Sequence, residues 1–202
     1  MIMFKWSAGA GFTMQEYPDW LMWESAITEE ACDEIVKACL ELPSKNATTF
    51  RSGEDPIYED PNRKTQIRWL PKTQEFDWIN QIFEEYAHRA NEYFNVDLSY
   101  IPELQFTEYK DIGYHYGWHH DIDWPNQTGT HRKVSLVLQL TDPEEYEGGD
   151  FYFRHIENPN PDALKKKGTI IAFLSYHEHC VEAITNGART SLVGWYRGPR
   201  WR

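Results

Sequence analysis

Residues 169–197 read TIIAFLSYHEHCVEAITNGARTSLVGWYR. Short apolar and β-branched runs alternate there with Ser-Tyr-His, Thr-Asn-Gly and single glycines, the texture of successive strands rather than of a helix. The same texture begins at Leu104. It predicts strands near Leu104 to Lys110, His115 to Asp121, Lys133 to Leu140, Asp150 to His155, Thr169 to Leu174, Cys180 to Ile184 and Ser191 to Arg197. Seven or eight short strands with turn-rich connections suggest a sandwich or jelly roll, in which two paired sheets protect each other's edges.

Upstream the period changes. Thr28 is a candidate helix cap, followed by an apolar stripe of Ala31, Ile35, Ala38, Cys39 and Leu42 that ends at Pro43. A second helix is expected from Phe76 to about Asn95, with Ile79, Ile82, Phe83, Tyr86, Ala90 and Phe94 on one face. Ser44 to Thr65 is rich in Ser, Asn, Gly and Pro and lacks periodicity, so it reads as a long loop, either a lid or plain surface. Ile67 to Leu70 is a candidate short strand. The chain therefore reads as one α+β, mainly β domain over residues 1–202, with helical support in about 1–100 and a jelly-roll core in about 101–202.

Twenty Lys and Arg face 32 Asp and Glu, a net charge of −12. Such a field repels phosphate backbones and acidic membranes, so a nucleic-acid or membrane partner is disfavoured. Three cysteines, Cys32, Cys39 and Cys180, show neither disulfide nor zinc spacing. With no apolar leader or membrane-length run, the expectation is a soluble cytoplasmic protein with reduced thiols. Lys165-Lys166-Lys167 reads as a solvated turn before a strand. The tail, with Arg197, Arg200 and Arg202 among Trp195, Tyr196 and Trp201, could line a binding surface.

Within the strand-rich region His119 and Asp121 have the same parity, so both side chains leave one face about 7 Å apart while His120 faces away. An imidazole and a carboxylate on one face, with a distal histidine, form the two-His, one-carboxylate set that leaves positions open on a non-haem iron. A lone His-x-Asp pair is weak, since surface strands carry it by chance. Parity leaves Asp123 as a competitor to Asp121, and His177 as a competitor to His179. Tyr114, Tyr116 and Trp118 read as packing. Arg189, ten residues beyond His179, offers a fork that binds a carboxylate through two parallel hydrogen bonds; its structural alternative is a surface ion pair.

Tyr109 to Asp121, the turn Glu147-Gly148-Gly149-Asp150, and Phe173 through Trp195 resemble the 2-oxoglutarate and Fe(II)-dependent oxygenases, especially their prolyl 4-hydroxylase branch. The resemblance covers roughly the last hundred residues and implies a double-stranded β-helix. Its Phe-x-Ser-x-x-x-His-x-Val segment matches Phe173, Ser175, His179 and Val181, which selects His179 over His177. It further implies that His119, Asp121 and His179 hold Fe(II), and that Arg189 clamps the distal carboxylate of 2-oxoglutarate with a hydrogen bond from Tyr109. Trp195 and Arg132 match residues near the substrate cleft. The chain departs from the pattern at Val193, where some prolyl hydroxylases have threonine, and at Gln139, where they have tyrosine. Gln139 could still donate to a carboxylate, whereas Val193 cannot. Phe-Leu-Ser replaces the common Phe-Pro-Ser.

The activity so implied consumes dioxygen and 2-oxoglutarate, with ascorbate as an accessory reductant, and yields succinate and carbon dioxide. Its expected substrate is a proline-containing peptide or protein, since an aromatic groove suits a preordered polyproline II chain. The alternatives are a hydroxylase of a free amino acid or small metabolite, then a nucleic-acid demethylase. A jelly-roll protein that binds metal without turnover is the non-enzymatic alternative, and Arg189 argues against it.

Overall fold

A computed structural model describes residues 17–47, 60–124 and 129–201. Strand β1 (Trp20–Trp23) leads into helix α1 (Glu29–Leu40), then β2 (Lys45–Asn46), β3 (Arg63–Lys64) and β4 (Gln66–Trp69). Helix α2 (Asp77–Phe94) precedes the long strand β5 (Ser99–Tyr109), then β6 (His115–His119) and β7 (Thr130–Gln139). The rest comprises β8 (Tyr146–Gly148), β9 (Phe151–Phe153), α3 (Pro161–Lys165), β10 (Ile170–Leu174), β11 (His179–Val181), β12 (Ile184–Gly187) and β13 (Arg189–Pro199).

The caps explain the helix bounds. Thr28 accepts the Ala31 amide at 3.3 Å, starting α1 as the sequence predicts. Asn95 adopts a left-handed φ of 49° that ends α2, and the Asn91 side chain closes the turn on Val96. Asn160 and Pro161 start the short α3, which the sequence reading did not anticipate.

Seven strands form a large sheet in the order β1-β10-β7-β13-β5-β4-β2, and four form a smaller one, β3-β6-β11-β9. The pair β12-β8 stands beside them. This is the expected mainly β, jelly-roll architecture buttressed by helices. Alternation sorts the large sheet's two faces. Leu104, Phe106, Leu136, Leu138, Ile170, Ala172 and Leu192 join Ile35, Ile79 and Phe83 of the helices in one core. Tyr109, Val137, Ile171 and Phe173 turn the other way and pack with Phe151, Phe153 and Val181 of the small sheet. The first core fixes the helices to the sheet; the second lies under the cleft between sheets.

Several boundaries differ from expectation. The predicted strand His115 to Asp121 stops at His119, and Cys180 to Ile184 is split between β11 and β12. Strand β1 pairs with β10 across its whole length, a non-local contact that four residues cannot announce. The lysine run closes α3 and enters the turn before β10, but it is tied down by ion pairs: Lys165 ends α3 and pairs with Asp150 at 2.8 Å, while Lys166 and Lys167 reach Glu24 and Asp33. Of the expected loop Ser44 to Thr65, residues 48–59 lie outside the described residues; its two flanks form β2 and β3.

Candidate active site

Cross-strand register assembles the site. His119 and His179 are direct partners in the β6-β11 ladder, and their rings lie 4.2 Å apart. Asp121 lies just beyond β6. Its backbone amide donates to the Ser175 carbonyl at 3.0 Å, and the Ser135 hydroxyl donates to its Oδ2 at 2.7 Å. Ser135 itself meets the Ser175 hydroxyl at 2.9 Å, and both serines are fully buried. One potential ligand atom from each of His119, Asp121 and His179 lies within 4.8 Å of the others. Each imidazole Nε2 is 3.7 Å from an Asp121 oxygen, a spacing that seats an ion between them.

The imidazoles are prepared as ligands. His119 Nδ1 contacts the Gly117 carbonyl at 2.8 Å and His179 Nδ1 the His177 carbonyl at 2.9 Å. A carbonyl only accepts, so Nδ1 carries the proton and Nε2 presents its lone pair to the cleft. Burial, then the neighbouring His179, holds the His119 pKa well below the usual histidine value, keeping it neutral. Burial alone would raise the Asp121 carboxyl; His179, His119, Arg132 and the Ser135 hydroxyl outweigh it and hold it below the usual range. His119 is thus a neutral imidazole beside an ionised Asp121 carboxylate.

The competitors are separated by geometry. His120 points away, its Nδ1 on the Tyr176 carbonyl at 2.9 Å. Asp123 is taken by Arg197 at 2.9 Å. His177 lies toward Asp19, 3.8 Å away, outside the triad.

On the large sheet Arg189 opens β13 opposite Tyr109, and its guanidinium carbon sits 5.1 Å from the Tyr109 ring centroid. Arg189 is 2% exposed, donates through Nη2 to Gln139 Oε1 at 2.8 Å, and leaves Nη1 buried without a hydrogen-bond partner among the described residues. A buried, unsatisfied cationic donor is costly unless an anion completes it. Gly149 makes room for this arginine, and Gly187 permits the tight backbone approach just before it. Gly187 holds φ 68°, and a Cβ there would lie 2.1 Å from the Glu145 carbonyl; a Cβ on Gly149, at φ 62°, would lie 3.2 Å from Arg189 Cδ.

His119, Asp121 and His179 share a cleft with Arg189 and Tyr109. Val137, Phe151, Val181 and Val193 give it apolar walls, and Trp195 closes one end. Gln139 is not on this wall: it borders a small recess behind Arg189 with Asp150 and Lys165. Arg132 pairs with Glu103 at 2.9 Å and stacks on Trp195, 3.9 Å from the ring centroid.

Sequence reasoning missed three contributors. Tyr116, read as packing, lies on the His119 ring at 3.4 Å between centroids and lines the cleft. Burial pushes its phenol pKa up, and the charge of Arg63 offsets part of that. Ser135 shares strand parity with Gln139, which could have placed it on the cleft side. Arg63 comes from the end of an aperiodic stretch and carried no signal.

The donor set and the unpartnered arginine fit an iron and a 2-oxoacid, and sequence relationships point the same way. A family model described as the 2OG-Fe(II) oxygenase superfamily matches residues 104–197. That segment is thus similar to the 2-oxoglutarate and Fe(II)-dependent oxygenase superfamily.

Among the relatives of this chain is a PKHD-type hydroxylase of Synechococcus sp. (strain CC9902), 36% identical over 85 residues, 42% of this chain and 37% of that protein. Another, from Crocosphaera subtropica, is 36% identical over 99 residues, 48% of this chain and 43% of that protein. The matches thus span about two-fifths of the length of these curated relatives. A Pseudomonas putida prolyl-4-hydroxylase superposes with a TM-score of 0.66 at 20% identity, over 90% of this chain and 94% of that one. A Trichoplax adhaerens prolyl hydroxylase, solved with a hypoxia inducible factor peptide fragment, superposes with a TM-score of 0.69 at 16% identity, over 88% and 83%. At these identities the structural likeness concerns the fold. Among the described residues no helix is long and apolar enough to cross a membrane.

Proposed function

We propose that this chain is an Fe(II)- and 2-oxoglutarate-dependent dioxygenase that hydroxylates a prolyl residue in a peptide or protein. One observation carries the reading: a cleft that joins a buried His-Asp-His set to a buried arginine whose Nη1 lacks a partner. His119, Asp121 and His179 would hold the iron, and Arg189 and Tyr109 would bind the distal carboxylate of 2-oxoglutarate. Iron, cosubstrate and dioxygen together supply the oxidising power for C–H hydroxylation, with succinate and carbon dioxide as co-products.

The chain's own residues provide orientation and dryness. Ser135 and Ser175 fix the Asp121 carboxylate, and the Gly117 and His177 carbonyls fix the two imidazoles. Phe151 and Phe173, with ring centroids 5.3 and 4.7 Å from that of His179, keep water from the far side of that ligand. Gln139 holds Arg189 from behind rather than meeting the cosubstrate. Trp195, with half-exposed Trp69 at 5.8 Å between ring centroids, forms the apolar end where an extended chain would enter. The prolyl substrate is supported by the PKHD-type and prolyl hydroxylase relatives and by the peptide bound to the Trichoplax protein.

The test has two stages. Anaerobic Fe(II) titration with and without 2-oxoglutarate should develop a chelate charge-transfer band, and its absence together with absence of succinate release would sink the oxygenase reading. Incubation with a proline-containing peptide library should then give a one-oxygen mass gain that depends on 2-oxoglutarate. A gain confined to proline-free peptides would refute the prolyl assignment.

A further inference from the structure

Arg63, at the start of β3, lines the cleft together with Tyr116, Gln105 and Trp195. Its guanidinium has five N–H donors. Nε donates to the Thr65 hydroxyl at 3.0 Å and Nη2 to Gln105 Oε1 at 2.9 Å, both neutral acceptors, which leaves three donors over among the described residues. The Tyr116 ring, with its centroid 4.2 Å from Cζ, supports one face of the group and orients it.

The other arginines make the contrast. Arg68, Arg89, Arg132, Arg154 and Arg197 each pair with a carboxylate at 2.7 to 2.9 Å. Arg63 and Arg189, the two that line the cleft, have no such ion pair among the described residues. In a chain with 32 acidic residues and a net charge of −12, two cleft arginines without an acid make local anion sites in a repelling field.

Arg189 has an occupant in the reading above; Arg63 does not. Its partner Gln105 lies four residues from Tyr109 along β5, about 13 Å at the usual strand rise, in the direction of Trp195, while the Arg63 charge still reaches the Tyr109 phenol. The Trp195 end is the one assigned to the primary substrate. We infer that Arg63 anchors a carboxylate of the primary substrate, so that the site takes an anionic molecule; this rests on the oxygenase reading. The shared chemistry is a carboxylate close to the oxidised carbon, supplied by a free amino acid or by an acidic side chain beside the prolyl residue.

Calorimetric titration of the anaerobic Fe(II) and 2-oxoglutarate complex tests this with three probes: L-proline, acetyl-Gly-Pro-Asp-amide and neutral acetyl-Gly-Pro-amide. The native protein should bind at least one carboxylate probe about tenfold or more tightly than the neutral peptide, the weight of one charge-assisted contact. Arg63→Gln should abolish that preference and Arg63→Lys retain part of it, with 2-oxoglutarate affinity unchanged in both. Preference for L-proline assigns a free amino acid, and preference for the Asp peptide assigns an acidic neighbour. Equal binding of acid and neutral probes, no binding of any probe, or a preference that survives in Arg63→Gln overturns the inference. Loss of 2-oxoglutarate affinity in Arg63→Gln also overturns it, by giving Arg63 to the cosubstrate. If the native protein fails to bind 2-oxoglutarate at all, the oxygenase reading falls, and this inference with it.

Discussion

Replacing Arg189 by methionine separates a ligand clamp from a structural strut. Without cosubstrate the native protein buries a guanidinium with one partner, Gln139, and an orphaned Nη1. An uncompensated buried charge is penalised by several kcal/mol, and apolar replacements of similar volume are often neutral or stabilising by about 1–4 kcal/mol. Against that gain, Gln139 Oε1 loses its donor, which costs about 1–3 kcal/mol. The balance lies near zero, so the metal-free variant should melt within a few degrees of the native protein, at about 2–4 °C per kcal/mol for this size.

Cosubstrate binding should respond very differently. Two charge-assisted hydrogen bonds contribute at least about 3 kcal/mol, which is more than a hundredfold in affinity. Calorimetry on the anaerobic Fe(II) protein should show that loss. The native protein should gain about 2.7 kcal/mol of stability at 2-oxoglutarate a hundredfold above its dissociation constant, and the variant almost none. A metal-free melting point lowered by more than about 8 °C, or 2-oxoglutarate affinity within tenfold of native, would refute the clamp.

His179→Ala should abolish Fe(II) binding by titration, whereas His177→Ala should keep most of it, and the reverse would reassign the distal ligand. Ser135→Ala removes the 2.7 Å hydrogen bond to Asp121 and should weaken Fe(II) binding about tenfold or more while the far-UV spectrum is unchanged. Gly149→Ala puts a Cβ 2.7 Å from Ile184 Cδ1 at a φ of 62°, and should lower stability by about 1–3 kcal/mol in a denaturant melt. Burial pushes the Cys32 thiol up to about 11 and Cys39 up to about 12. A thiol reagent at pH 8 should leave both unmodified until the protein is unfolded, and the stability from their protonated forms should be lost only as pH rises from about 9 through those values.

Much of the fold was legible because its signals are local. Thr28 and Asn95 mark helix ends through their own backbone chemistry, and alternating apolar residues in 104–109, 134–140 and 170–174 declare strands with two different faces. Strand β1, helix α3 and the breaks at His119 and between β11 and β12 were not legible. Four or five residues carry too little periodicity, and what makes β1 a strand is its partner β10, far along the chain. The motif residues His119, Asp121, His179 and Arg189 were legible through their spacing. Tyr116 and Arg63 were not, because neither belongs to a spacing pattern.

By itself the sequence determined which residue types are present for the chemistry and which share parity: a histidine and an aspartate on one face, a distal histidine, and an arginine ten residues beyond it. It left Asp121 against Asp123 and His177 against His179 unresolved at the level of parity, since alternation repeats every second residue. Motif resemblance already preferred His179 to His177, and the tertiary structure separates both pairs by geometry. The β6-β11 register sets His119 against His179, Ser135 and Ser175 draw Asp121 inward, and Arg197 occupies Asp123. The same packing brings Arg63 and Arg189 into one cleft, neither of them ion-paired among the described residues. Which charges remain unpaired depends on three-dimensional neighbours, and no one-dimensional pattern encodes it.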